Sequence, residues 1–160
     1  MSSQTGVGLE DGAPSQPVRI VLAEDHQVVR RGLQLVLESE PGLTVVAQAG
    51  DIASARECVR QHSPDVLVLD LNMPGGSSLE LIAKLQAEAP DTTIVVLTME
   101  EEPAFVWAVR QAGALGYVLK EASDTELVAA VRSVAAGEPY IQRQLAARLV
   151  AERLRTQPSD

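Results

Sequence analysis

Apolar residues fall in short, dense runs along this chain, and the runs share one design. Val18–Ala23 leads into Glu24 and Asp25, Val66–Leu69 into Asp70, Thr93–Leu97 into Thr98, and Leu115–Leu119 into Lys120. Short runs rich in Val and Leu, without alternation, read as strands buried on both faces. A charge is tolerable in such a strand only where it leaves the core. Four strands therefore each deliver polar groups at their carboxyl end. A further strand is predicted over Leu43–Ala49.

Between the runs the period changes to that of a helix. Gln27–Glu38 is a predicted helix with Val28, Val29, Leu33, Val36 and Leu37 as its apolar face, closed by Pro41-Gly42. A second helix starts at Asp51, with Ser54-x-x-Glu57 as another possible capping box, and ends before Pro64. Ser77-x-x-Glu80 caps a third, which follows Gly75-Gly76 and runs toward Pro90. Pro103 opens a fourth, which Gly113 ends. Ser123-x-x-Glu126 caps a fifth, with Leu127, Val128, Val131 and Val134 inward, and Gly137-Glu138-Pro139 stops it. A last amphipathic segment, Gln142–Arg155, turns on Leu145, Leu149 and Leu154. The expectation is an α/β fold: a flavodoxin-like, doubly wound five-stranded parallel sheet in order 2-1-3-4-5, followed by a C-terminal linker helix. Its switch point lies between strands 1 and 3, where Glu24, Asp25 and Asp70 meet.

Composition sharpens this picture in three places. The 160 residues, 46% of them apolar, allow one domain with a real core. Residues 1–16 are rich in Ser, Gly, Gln and Pro and read as a disordered leader, residues 17–137 as the sheet domain, and residues 138–160 as a linker segment. The formal net charge of −9 argues against binding DNA or an anionic membrane with this chain's own surface. The lone Cys58 excludes an internal disulfide and fits a cytoplasmic location.

The predicted crevice has a chemistry of its own. Two unit charges ~4 Å apart at an effective dielectric of ~20 interact by ~4 kcal/mol. Three clustered carboxylates therefore call for a proton or a bound cation, and oxygen donors with room for water suit Mg²⁺ better than Ca²⁺. Lys120 adds a fixed positive charge and Thr98 a hydroxyl that can donate to an oxyanion. A metal, a carboxylate nucleophile, an ammonium and a hydroxyl together suit a phosphoryl group, with Asp70 attacking phosphorus to give an acyl phosphate. The separations from Asp25 to Asp70, Asp70 to Thr98 and Thr98 to Lys120 are 45, 28 and 22 residues.

The stretches Ile20–His26, Asp65–Gly75, Val95–Thr98 and Gly116–Lys120, and in detail "LAEDHQVVRRGL", "DLNMPG" and "GYVLKEAS", resemble the receiver domain of a bacterial two-component response regulator of the NarL/FixJ (LuxR-type) subfamily. The resemblance covers about Val18–Ala136. It implies that a sensor histidine kinase phosphorylates Asp70, so that the chain is a phosphoacceptor regulatory domain rather than an enzyme acting on other substrates. It implies Mg²⁺ held by Asp25, Asp70 and the backbone carbonyl of Asn72, with Glu24 acting through water. It further implies a switch in which the Thr98 hydroxyl moves to the phosphoryl group, the Tyr117 ring turns inward, and Lys120 pairs with the phosphoryl oxygens.

The same subfamily usually continues into a DNA-binding helix-turn-helix domain, so Gln142–Arg155 is expected to begin the linker toward an output half that this sequence does not include. Homodimerisation is expected on family grounds and no membrane contact is expected. The alternatives are a stand-alone receiver working by protein contact, and an Asp-nucleophile phosphohydrolase. The latter generally needs a second acid two residues past the nucleophile, where this chain has Asn72. Met99 is expected to screen the phosphoryl group from water, with Asn72 and Glu100 as further positions that tune hydrolysis. His26 reads as a first-turn helix residue rather than a ligand, Trp107 as surface or interface packing, and Arg148, Arg153 and Arg155 as a solvated face.

Overall fold

Each predicted strand-helix unit forms, and the chain order places every apolar run in one sheet. The computed structural model describes residues 16–122 and 124–156. The expected leader lies outside them except for Gln16, as does Ser123, the expected cap of the fifth helix. The elements are β1 (Val18–Ala23), α1 (Gln27–Glu38), β2 (Leu43–Ala49), α2 (Ile52–His62), β3 (Val66–Asp70) and α3 (Ser78–Glu88), then β4 (Thr93–Thr98), α4 (Pro103–Ala112), β5 (Gly116–Leu119), α5 (Asp124–Ala135), β6 (Tyr140–Ile141) and α6 (Arg143–Thr156). The strands pair in parallel in the order β2-β1-β3-β4-β5-β6.

The predicted order of the first five strands is present, and the sheet carries a sixth that the sequence reading did not contain. β6 is two residues long, too short for any periodic signal, and lies directly after the Gly137-Glu138-Pro139 stop. Its ladder continues through a side chain: the Gln142 backbone N–H donates to Tyr117 O at 3.2 Å, and the buried Gln142 Oε1 accepts the Leu119 N–H at 2.8 Å.

Alternation along the strands divides the core in two. Val21, Leu67, Leu69, Ile94, Val96 and Leu119 face α2, α3, α4 and α6. Ile20, Leu22, Val66, Val68, Val95 and Val118 face α1 and α5. With both faces covered, the ends of the strands are where polar side chains emerge. Local signals set the helix starts. The Asp51 carboxylate accepts the Ser54 N–H at 2.7 Å, so Asp51 caps α2, and the Ser77 hydroxyl accepts the Glu80 N–H at 3.2 Å to cap α3. Such caps contribute about 1 kcal/mol each. Between β3 and α3 the chain turns through Gly75 and Gly76, whose φ values of 97° and 143° disfavour any residue with a Cβ.

Two helix faces differ from expectation, for one reason. Val28 is 85% exposed and Leu154 67% exposed, although each was expected among the inward residues of its helix. Leu37 and Leu145, which are buried, lie nine residues from Val28 and Leu154 respectively. At about 100° per residue, nine residues bring the chain about half a turn from the starting face. Val29 is likewise exposed. α6 is nevertheless docked, with Leu145 and Leu149 in the same core as α4.

Leu145→Ala in the full chain should lower the unfolding free energy by about 2–4 kcal/mol, whereas Leu154→Ala should change it by less than about 0.5 kcal/mol. Urea denaturation of the two variants checks this. Equal effects would mean that α6 is not packed by the face described.

Candidate functional site

Register brings the polar strand ends together. Ala23 pairs with Leu69, Asp70 with Leu97, and Thr98 with Leu119, so Glu24, Asp70, Thr98 and Lys120 emerge along one edge of the sheet. The side chains of Glu24 and Asp70 have no solvent exposure. Burial of a carboxylate is costly unless a charge and hydrogen bonds compensate it. Lys120 supplies the charge: its Nζ donates to Asp70 Oδ2 at 3.1 Å and lies 3.2 Å from Glu24 Oε1. The second contact is an ion pair without hydrogen-bond geometry. Asp70 Oδ1 accepts the Asn72 N–H at 3.0 Å, and Glu24 Oε2 accepts the His26 N–H at 3.0 Å. Burial works against the Lys120 ammonium, but Asp70 and then Glu24 more than offset it, so its pKa is raised.

The compensation is incomplete. Asp25 stands beside Glu24 with its side chain partly exposed. Glu24 Oε1 and Asp25 Oδ1 are both buried without a hydrogen-bond partner. Formally, one ammonium faces three carboxylates. Donor atoms of Glu24, Asp25, His26 and Asp70 lie within 4.8 Å of one another. Orphaned carboxylate oxygens converging under excess negative charge fit a divalent cation.

On the other side of Asp70, the predicted switch residues meet at one peptide. The Thr98 hydroxyl accepts the Glu100 N–H at 3.0 Å, and the Tyr117 hydroxyl donates to Glu100 O at 3.2 Å. The Tyr117 side chain is fully buried. Burial pushes its phenol up to about 12, against the Thr98 hydrogen bond and with the help of the Glu100 charge. Glu100 thus contributes through its backbone, while its carboxylate accepts the Glu102 N–H. Met99 is 66% exposed and borders a cavity of about 400 Å³ with His26, Val29, Leu33 and Lys120. Trp107 is partly exposed against α6, as expected, and Cys58 is half-buried.

Sequence reasoning missed three features here. The His26 ring lies beside Glu24 and Asp25, and the residue is the N-cap of α1 rather than part of its first turn. Arg30 Nη1 donates to the Glu24 carbonyl at 2.7 Å. Arg148 of α6, read as part of a solvated face, pairs with Glu101 in the loop after β4 at 2.7 Å. The last joins residues 47 positions apart, and no local pattern signals it.

A doubly wound parallel sheet with an acidic pocket, a lysine and a hydroxyl at its carboxyl edge defines a class, and the comparisons agree. The response regulator receiver domain family model matches residues 20–132, and the chain belongs to that family. It is 43% identical to the oxygen regulatory protein NreC of Staphylococcus epidermidis over 136 residues, covering 84% of this chain and 62% of NreC. The chain thus spans less than two thirds of that relative's length. A LuxR-family two-component response regulator from Aurantimonas sp. SI85-9A1 superposes with a TM-score of 0.83 at 34% identity, covering 87% of this chain and 99% of that one. The receiver domain of the response regulator NarL from Mycobacterium tuberculosis gives 0.74 at 35% identity, covering 77% and 99%. More particularly, then, this is the receiver domain of a NarL/LuxR-type two-component response regulator. No helix among the described residues is long and apolar enough to cross a membrane.

The alkaline limb of stability follows from the site. Lys120 has a raised pKa, so its contribution is fully present below the unfolded value of 10.5 and is lost as pH rises through the folded value. The buried phenol of Tyr117 and the half-buried phenol of Tyr140 beside Glu126, each pushed up to about 12, must deprotonate or unfold above the unfolded value of 10.0. Stability should therefore fall from about pH 10 upward. Absorbance at 295 nm should show phenolate appearing together with unfolding, and Tyr117→Phe should make the fall shallower. Phenolate formation near the ordinary value in the folded chain would contradict the burial described.

Proposed function

We propose that Asp70 is the phosphoacceptor of this receiver, with a histidine kinase as donor and Mg²⁺ as cofactor. The observation that carries the reading is a fully buried Asp70 carboxylate held from one side by Lys120 Nζ and from the other by the Asn72 N–H. In the step proposed, a carboxylate oxygen of Asp70 forms a bond to phosphorus as the P–N bond of phosphohistidine breaks. The imidazole leaves with the bonding pair, and the product is an acyl phosphate. A Mg²⁺ ion held by Asp25, Asp70 and the Asn72 carbonyl, with Glu24 behind it, would neutralise charge on the phosphoryl oxygens. Lys120 is placed to stay with those oxygens once Asp70 has lost its own charge.

Thr98 and Tyr117 read the event. If the Thr98 hydroxyl turns to a phosphoryl oxygen, it releases the Glu100 N–H, and the Glu100 peptide that holds Tyr117 is freed to move. Met99, exposed beside Lys120, screens the acyl phosphate from water. RcsB, 28% identical to this chain, has been solved as two dimers bound to two parallel DNAs. By that likeness we infer that this receiver controls dimerisation and DNA binding through an output domain, since its own surface charge is unsuited to DNA.

Incubation of the chain with Mg²⁺ and acetyl phosphate should add one phosphoryl group by intact mass, and Asp70→Asn should add none. No gain in the parent chain with Mg²⁺ bound, or an undiminished gain in Asp70→Asn, would overturn the assignment. Met99→Ala should speed loss of the phosphoryl group several-fold, followed by the same mass measurement over time. An unchanged rate would remove Met99 from this role.

A further inference from the structure

The backbone of the acidic turn is held as firmly as its side chains, and one residue that holds it has no part in the phosphoacceptor reading. Ala23 is the last residue of β1, paired with Ala49 on one side and Leu69 on the other. Glu24 follows it, and its N–H still reaches the sheet, donating to Ala49 O at 3.0 Å. The Glu24 carbonyl instead accepts Arg30 Nη1 at 2.7 Å, from a side chain six positions further along.

Arg30 lies early in α1, where its own N–H donates to His26 O. A cation near a helix N-terminus opposes the helix dipole, so α1 itself does not account for an arginine there. The neighbouring chain makes room for it. Gly50 follows β2, and a Cβ at that position would stand 3.2 Å from Arg30 Nη1, tight enough that the guanidinium would have to give way. Lys120 and His26 face the carboxylates of Glu24 and Asp25, while Arg30 acts on the peptide that joins the two residues. That peptide is planar, so fixing its carbonyl fixes the plane from which Asp25 departs. Mg²⁺ demands near-ideal octahedral geometry, and a small misplacement of its ligands is therefore costly.

We propose that Arg30, seated against Gly50, is a positioning residue of the acidic pocket: its bond to the Glu24 carbonyl holds Glu24 and Asp25 in the arrangement that takes the divalent cation. The proposal rests on the reading of the acidic cluster as a Mg²⁺ site and does not depend on phosphorylation of Asp70. Its sign separates it from an effect of charge. By charge alone, removal of a cation near the pocket should tighten Mg²⁺ binding. Loss of a positioning bond should weaken it.

The test is calorimetric titration of Mg²⁺ into the full chain, Arg30→Met, Gly50→Ala and the double variant, with circular dichroism to establish that each is folded. Arg30→Met should weaken Mg²⁺ binding about tenfold. Gly50→Ala, which keeps Arg30 but crowds its guanidinium, should weaken binding by less, and should add nothing in the Arg30→Met chain. Unchanged or tighter binding in Arg30→Met would overturn the proposal. So would additive losses, which would mean that Gly50→Ala loosens the turn without acting through Arg30. Should Arg30→Met fail to fold, Gly50→Ala decides alone: weaker binding supports the proposal, and unchanged binding overturns it. If the parent chain binds no Mg²⁺, the cation-site reading fails and takes this inference with it.

Discussion

Two carboxylates without solvent exposure, Glu24 and Asp70, share one ammonium, and much of the carboxyl edge is arranged around that imbalance. Such a group is poor evidence for stability. An apolar set of the same volume commonly serves a core as well or better, while removal of one charged partner costs about 3–5 kcal/mol. Its presence therefore has to be explained by what the pocket does. Lys120 alone does not balance Glu24, Asp25 and Asp70, and the oxygens left without hydrogen-bond partners belong to the first two. The pocket is incomplete in the direction of positive charge, which is what the proposed cation and phosphoryl site requires.

The sheet makes this imbalance tolerable. Strands buried on both faces hold their backbone rigidly, so the cost of converging charges is borne by a large apolar core and not by a loop. β1 and β3 are adjacent because the chain reverses its winding between them, and the crevice there receives Glu24, Asp25 and Asp70 from the ends of strands that are not consecutive in sequence. Lys120 comes from β5, with β4 intervening, and crosses to Asp70 with the reach of its long side chain.

The parts legible in the sequence are those set by local patterns. Val66–Leu69 can be read as a buried strand because it is apolar throughout, and Asp70 as its exit because it is not. The same logic locates Thr98 and Lys120, and family motifs add Tyr117. What escaped depends on arrangement in space. Tyr140–Ile141 becomes a strand because β5 offers it an edge, not because two residues have a period. Val28 and Leu154 look inward when apolar positions are counted, and outward once the angle from Leu37 and Leu145 is followed. His26 reads as an ordinary helix-start residue until its ring is seen beside two carboxylates. The Arg148–Glu101 pair has no signal short of the fold itself.

That last pair bears on how a charge at Asp70 reaches the far end of the chain. The loop from Met99 to Glu102 is held by the Glu100 N–H on Thr98, by the Tyr117 hydroxyl on Glu100 O, and by Arg148 on Glu101. Neutral hydrogen bonds contribute about 0.5–1.5 kcal/mol each, and an exposed ion pair about 0–1 kcal/mol. Together they hold the loop by roughly 1–4 kcal/mol, and a hydrogen bond from Thr98 to a charged phosphoryl oxygen is worth about 1.5–3 kcal/mol. The two are of the same size, which is the condition for a two-state element that one modification can tip. Glu101 is adjacent to Glu100, so a displacement that frees Tyr117 also strains the contact to α6. Gln142, at the start of α6, is bonded to Leu119, the neighbour of Lys120. The final helix is thereby tied to both strands that carry the proposed switch residues, so that on that proposal a shift at either would be felt at α6.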